Sequence, residues 1–123
     1  MEKQKILIAD DSEMNRALLV DILEEQYDVA EAENGVEAIS LLSRHRTDYS
    51  LLLLDIMMPE MDGFEVLAYI NKYHWNDTFA VIMISADASP ANIKRAYDLG
   101  AFDYISRPFD STIVQRRISN TMF

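Results

Sequence analysis

Three acidic residues, one serine and one arginine carry most of the chemistry that this sequence offers. Asp10 and Asp11 follow the apolar run ILIA, and Asp55 follows LLLL. Ser85 closes AVIMIS, and Arg107 precedes Pro108 just after the short run Asp103–Ser106. Carboxylates gathered within a few ångströms repel one another by on the order of a few kcal/mol per pair at an effective dielectric of about 20. A hard divalent cation relieves that repulsion, and Mg2+ takes one or two carboxylates together with water, backbone carbonyl and phosphate oxygens. A serine hydroxyl donates to an oxyanion, and a guanidinium sets a fixed positive charge beside it. Such a set suits a phosphoryl group in transfer: metal and cation neutralise the equatorial oxygens while an in-line carboxylate attacks. Singly these residues are ordinary, because Asp ends strands and caps helices, Ser12 caps as well as Asp11, and a lone Arg is usually a surface residue. The reading rests on all of them meeting at one place.

Bringing them together requires a sheet. Short apolar runs alternate with helical patterns five times, at Lys5–Ala9, 27–31, Tyr49–Leu54, 79–85 and Asp103–Ser106. Three of the runs are continuously apolar, which marks strands buried on both faces and so a parallel sheet covered by helices. Met14, Leu18, Leu19, Ile22 and Leu23 recur at helical spacing. Asn34 with Glu37, and Asp62 with Glu65, have the form of capping boxes. Ser89–Pro90 reads as a cap followed by a first-turn proline, and Leu99–Gly100 as a helix stop. A last helix from about Asp110 sets Ile113, Val114, Ile118 and Met122 on one side. The resulting βαβαβαβαβα pattern predicts an α/β fold with right-handed crossovers and helices on both faces. For five parallel strands the common doubly wound order is 2-1-3-4-5, and ligands bind beyond the carboxyl ends of strands 1 and 3. Those are the strands that end in Asp10–Asp11 and Asp55.

Composition narrows the classes further. The 123 residues suit one domain, and an apolar content of 50% argues against disorder. No cysteine is present, which removes disulfides, thiolate metal sites and a thiol nucleophile, and fits a reducing, cytoplasmic setting. A net charge of −10 repels nucleic-acid phosphate, so no nucleic-acid partner is expected for this domain. No apolar run is long enough for a signal peptide or a membrane span.

On these residues the chain resembles the response-regulator receiver family along essentially its whole length. The resemblance lies in Asp10–Asp11, residues 51–67 (LLLLDIMMPEMDGFEVL) around Asp55, Ser85–Ala86, Arg107–Pro108–Phe109 and residues 32–38 (AENGVEA). The segment with Pro59 and Gly63 is its most specific part. The resemblance implies a flavodoxin-like doubly wound (βα)5 fold and a two-component phosphoacceptor switch that promotes its own phosphorylation and dephosphorylation. In that reading Asp55 accepts a phosphoryl group from a phosphohistidine on a sensor histidine kinase or phosphotransfer protein. Asp10, Asp11, Asp55 and the Met57 backbone carbonyl hold Mg2+, with Mn2+ as a substitute. Ser85 contacts the phosphoryl group, and Tyr104 is the aromatic switch residue whose ring turns inward on activation. Met57 and Asp87 fall at positions that tune phosphoryl lifetime. Helix 4, strand 5 and helix 5 form the output face or a homodimer interface, where Lys94, Arg95, Arg116 and Arg117 also fall.

One position departs from the pattern: the family has Lys where this chain has Arg107. Arginine is longer, planar and forked. It could pair with phosphate or fill the pocket and pair with Asp55 in the resting protein. It is also the one support for an alternative, a pseudo-receiver that binds proteins without being phosphorylated. Two enzyme readings on a similar sheet are weaker. The Asp10–Asp11–Ser12–Glu13 loop repels the phosphate of FMN, and Met57 stands where an aspartyl phosphatase has a second Asp. His45 and His74 lack spaced partners and read as surface residues, and Trp75 reads as packing. The last helix reaches Met122–Phe123 without a Gly or Pro stop, so residues 1–123 are expected to be a receiver domain cut from a longer protein with a C-terminal effector domain.

Overall fold

The structure, a computed structural model, describes residues 3–122. Met1, Glu2 and Phe123, the last of these part of the apolar ending noted above, lie outside the described residues. Five strands, β1 (Lys5–Ala9), β2 (Asp28–Ala32), β3 (Tyr49–Leu54), β4 (Ala80–Ser85) and β5 (Asp103–Ser106), alternate with five α-helices. The helices are α1 (Glu13–Leu23), α2 (Gly35–His45), α3 (Gly63–Lys72), α4 (Pro90–Asp98) and α5 (Ser111–Thr121). Short 3-10 turns at Arg46–Asp48 and Trp75–Asp77 lead into β3 and β4. The strands form one parallel sheet in the order β2-β1-β3-β4-β5, as the sequence pattern predicts.

The continuously apolar strands are explained by two cores. Side chains alternate across a strand, so Leu7, Leu52, Leu54, Val81 and Met83 pack beneath α2, α3 and α4 with Leu42, Leu67, Ile70 and Ala96. Ile6, Ile8, Leu51, Leu53, Ile82 and Ile84 face the other way, onto Leu19 and Leu23 of α1 and Val114 and Ile118 of α5. Side-chain caps set where the helices begin. Asn34 accepts from the Glu37 N–H, Ser89 from Asn92, and Asp110 from Thr112. Of the two expected capping boxes, Asp62–Glu65 is reciprocal and Asn34–Glu37 is not. Gly100 ends α4 at φ +100°, in the left-handed region that favours glycine. Trp75 is buried, with Tyr69 edge-on at 5.3 Å and the Arg46 guanidinium 5.3 Å from its ring.

Several expectations shift by a residue or a face. β2 begins at Asp28, because the Tyr27 N–H still donates to the Leu23 carbonyl at the end of α1. β4 begins at Ala80, because the Phe79 N–H bonds the Trp75 carbonyl in the preceding turn. In α1 the buried stripe is Arg16, Leu19 and Leu23, while Met14 and Leu18 are exposed. In α5 Val114 and Ile118 are buried and Ile113 is exposed.

One glycine ties the β3–α3 loop to the helix that follows. A Cβ on Gly63 would lie 2.2 Å from the Asp55 carbonyl oxygen and 2.8 Å from the Ile56 Cα, both of them backbone. Gly63→Ala therefore forces the segment that carries Asp55 to move. It is expected to lower stability by about 1–3 kcal/mol, read as a lower urea midpoint at unchanged slope.

Candidate functional site

The site is built by running the sheet ladder one residue beyond the strands. The Asp10 N–H donates to the Ala32 carbonyl at 3.1 Å, the Asp55 N–H to Ala9 at 2.9 Å, and the Arg107 N–H to Ser85 at 2.8 Å. Three far-apart residues are thus held at the carboxyl edge of the sheet by the same bonds that pair the strands. Asp10, Asp11 and Asp55 each present a carboxylate oxygen within 4.8 Å of one another. Asp10 and Asp55 are buried and Asp11 is exposed.

Backbone donors orient two of the acids. Asp10 Oδ1 accepts from the Ser12 N–H at 2.9 Å, and Asp55 Oδ1 accepts from the Ile56 N–H at 2.8 Å. Arg107 supplies the countercharge. Its Nη2 donates to Asp10 Oδ2, and its Nη1 lies 3.5 Å from Asp55 Oδ1. The pairing with Asp55 considered from the sequence is therefore present, but the closer partner is Asp10. Burial, with the Asp10 charge next, pushes the Asp55 carboxyl up to about 6, and the Asp11 charge adds to the rise. Arg107 and the Ile56 N–H pull the other way without cancelling it.

Ser85 and Tyr104 form a second group rather than joining the carboxylates directly. Ser85 is buried, and its Oγ accepts from the Asp87 N–H at 3.1 Å. The Tyr104 ring is buried, and its hydroxyl donates to the Asp87 carbonyl. Burial, more than the nearby Asp87 and Asp55 charges, raises the Tyr104 hydroxyl above its ordinary value, so it stays a donor. The Asp87 carboxylate accepts from the Ser89 N–H at 2.9 Å and Asn92 Nδ2 at 2.7 Å. These bonds, the backbone one first, hold that carboxyl below the usual range and commit it to the entry of α4. Met57, in the loop after β3, is exposed.

Arg16 is the residue that sequence reasoning missed. It is buried, donates Nη1 to the Asp10 carbonyl oxygen at 2.7 Å, and pairs through Nε with Glu31 at 3.1 Å. It therefore fixes the backbone from which Asp10 projects. The signal was available: Arg16 shares the buried face of α1 with Leu19 and Leu23, at helical spacing. A charged residue in an apolar stripe is informative.

The donor set fits a small hard cation. Three carboxylates supply oxygen ligands at one point, and the Arg107 guanidinium already bridges two of them through separate nitrogens. The arrangement thus attracts positive charge and offers oxygen, as Mg2+ requires.

A doubly wound (βα)5 sheet with clustered acids beyond strands 1 and 3 defines a receiver-type signalling domain. The chain belongs to the response regulator receiver domain family, whose model matches residues 6–119. It is 40% identical over 124 aligned positions to the chemotaxis protein CheY of Halobacterium salinarum, covering 99% of this chain and 98% of that one. It is 34% identical to a probable cyclic di-GMP phosphodiesterase of Vibrio cholerae, covering 92% of this chain but only 25% of that protein. Among solved structures it is similar to the CheX-CheY-BeF3-Mg2+ complex from Borrelia burgdorferi. That likeness has a TM-score of 0.90 and 30% identity, over 97% of this chain and 89% of that one. The chain is accordingly a CheY-like receiver domain of two-component signalling. Among the described residues no helix is long and apolar enough to cross a membrane.

The raised Asp55 carboxyl links stability to pH. Its folded value of about 6 lies above the ordinary 3.8, so the protonated form is favoured by folding. That contribution is complete below pH 3.8 and is lost as pH rises through about 6. Asp55→Asn is expected to remove this loss, which is on the order of 2–3 kcal/mol. The check is urea unfolding without divalent metal at pH 4, 6 and 8: the variant should gain on the parent as pH rises.

Proposed function

We propose that Asp55 accepts a phosphoryl group from a phosphohistidine of a sensor histidine kinase or phosphotransfer protein, in a Mg2+-dependent step that alters contacts with an effector. The observation that carries this is the buried Asp55 carboxylate standing with Asp10 and Asp11 within 4.8 Å, at the rim where this fold binds ligands. Asp10, Asp11, Asp55 and the Met57 carbonyl would hold the ion, which, when bound, neutralises phosphoryl oxygens. An Asp55 oxygen attacks phosphorus as the phosphorus–nitrogen bond of the donor breaks. The electron pair of that bond returns to the imidazole, and an acyl phosphate forms. Arg107 offsets negative charge on the group. All three acids are in place, so the reading as a binding module without phosphorylation has only Arg107 in its favour.

Ser85 links the pocket to the surface. When its hydroxyl turns to a phosphoryl oxygen, the Asp87 N–H loses its acceptor. Tyr104 holds the carbonyl of the same residue, so displacement of Asp87 is felt by the Tyr104 ring and the start of α4. The face of α4, β5 and α5 then changes shape. Its exposed Tyr97 and Ile113, and the Arg117–Asp103 pair at 2.9 Å, suit an output contact or a homodimer. A cytoplasmic setting and a C-terminal effector domain are further parts of this proposal; the chain spans 25% of the Vibrio cholerae relative and 98% of the Halobacterium salinarum one.

The donor has a surface to meet. Leu18, Ala86, Pro108 and Phe109 line an apolar groove beside Arg107, and the exposed Met14 lies one turn before Leu18.

Intact-protein mass after incubation with acetyl phosphate and Mg2+ is expected to show one added phosphoryl group, absent without metal and absent in Asp55→Asn. An unmodified parent protein defeats the proposal. Leu18→Glu is expected to slow transfer from a phosphohistidine donor tenfold or more, a change of about 1.4 kcal/mol. Labelling by acetyl phosphate should be unchanged, since that donor needs no docking surface. Parallel time courses with the two donors make the comparison.

A further inference from the structure

The acidic pocket already contains a cation, and it belongs to the chain. One guanidinium spans the two buried acids, with Nη2 on Asp10 Oδ2 and Nη1 3.5 Å from Asp55 Oδ1. The other Asp10 oxygen accepts from the Ser12 N–H, so both oxygens of that carboxylate are engaged. The third nitrogen of the fork is left over: Arg107 Nε is buried and has no hydrogen-bond partner. A buried charged donor without an acceptor is costly, and such a group points to a ligand that satisfies it.

We propose that Arg107 is a built-in competitor of the divalent cation. In the metal-free protein it neutralises Asp10 and Asp55. It releases Asp10 when Mg2+ enters, and the freed fork, including its unpartnered Nε–H, then turns to an oxyanion held on Asp55. This inference rests on the reading of the pocket as a Mg2+-dependent phosphoacceptor site. Arginine does not deprotonate in proteins, so only displacement relieves the competition. A lysine ammonium is a single point charge on a flexible stem and cannot engage two carboxylates through separate nitrogens. The Arg at this position therefore weakens metal binding to the empty pocket. It also makes metal and oxyanion cooperative, because each favours the arrangement that the other needs, and such coupling is reciprocal.

The test is a calorimetric Mg2+ titration of the parent, Arg107→Lys and Arg107→Ala, each first shown by a metal-free unfolding curve to be folded. Both variants are expected to bind Mg2+ about tenfold more tightly than the parent, while Arg107→Ala unfolds earlier without metal because its buried acids have lost their countercharge. A second readout follows the arginine itself. The Nε–H resonance of Arg107, assigned by its loss in Arg107→Lys, should shift with Mg2+ alone and shift again when beryllofluoride is added. Equal or weaker Mg2+ binding in Arg107→Lys overturns the inference and leaves the phosphoacceptor reading standing, as does an Nε–H resonance indifferent to Mg2+. Mg2+ binding by none of the three proteins overturns both.

Discussion

Mutual repulsion among carboxylates held at one end of a parallel sheet is the constraint on which the rest of this molecule depends. Asp10, Asp11 and Asp55 would separate if they were free to, and several independent devices prevent it. The ladder continues past β1, β3 and β5 to pin the Asp10, Asp55 and Arg107 backbones. Arg16 grips the Asp10 carbonyl from beneath, and its other nitrogens reach toward Glu31 and Glu33. Arg107 sits across Asp10 and Asp55. Buried charges are tolerated where they are paired and hydrogen-bonded, and each of these contacts contributes one part of that condition. Two layers of apolar side chains, one on each side of the strands, keep the frame stiff enough to maintain it.

In the proposed switch, charge added at these acids would be felt beyond the pocket. The route outward is short. Ser85, Asp87 and Tyr104 are joined by hydrogen bonds, and Asp87 also holds Ser89 and Asn92 at the first turn of α4. A ligand that recruits the Ser85 hydroxyl therefore competes with the bond that holds Asp87 in place. Allosteric coupling needs two states with different contacts, and under the proposed mechanism the Ser85–Asp87 bond is the contact that would differ between them.

Much of this was legible in the sequence, for identifiable reasons. ILIA, LLLL and AVIMIS announce strands buried on both faces, and the observed order β2-β1-β3-β4-β5 follows from the alternation with helices. The acids were legible because they directly follow those runs. Boundaries were less so: Tyr27 and Phe79 are apolar, buried and strand-like, yet their N–H groups belong to preceding turns. The face of α1 was misread because Leu18 and Met14 outweigh Arg16 in any apolar count, whereas the fold buries the arginine for its contact with Asp10. Ile113 was assigned to the core for the same reason. That Arg107 reaches Asp10 as well as Asp55 depends on side-chain reach between residues 97 positions apart, which no local pattern encodes.

The single tryptophan illustrates how the two ends of the sheet divide their labour. Trp75 lies in the turn before β4, and the acids lie beyond the carboxyl ends of the strands. With six residues in β4, the two are separated by roughly 20 Å of rigid strand. The indole packs against Tyr69 and the Arg46 guanidinium at the end of the sheet opposite the acids. Its ultraviolet emission is thus expected to follow global melting rather than events at the carboxylates, which lie nearer the exposed Met57.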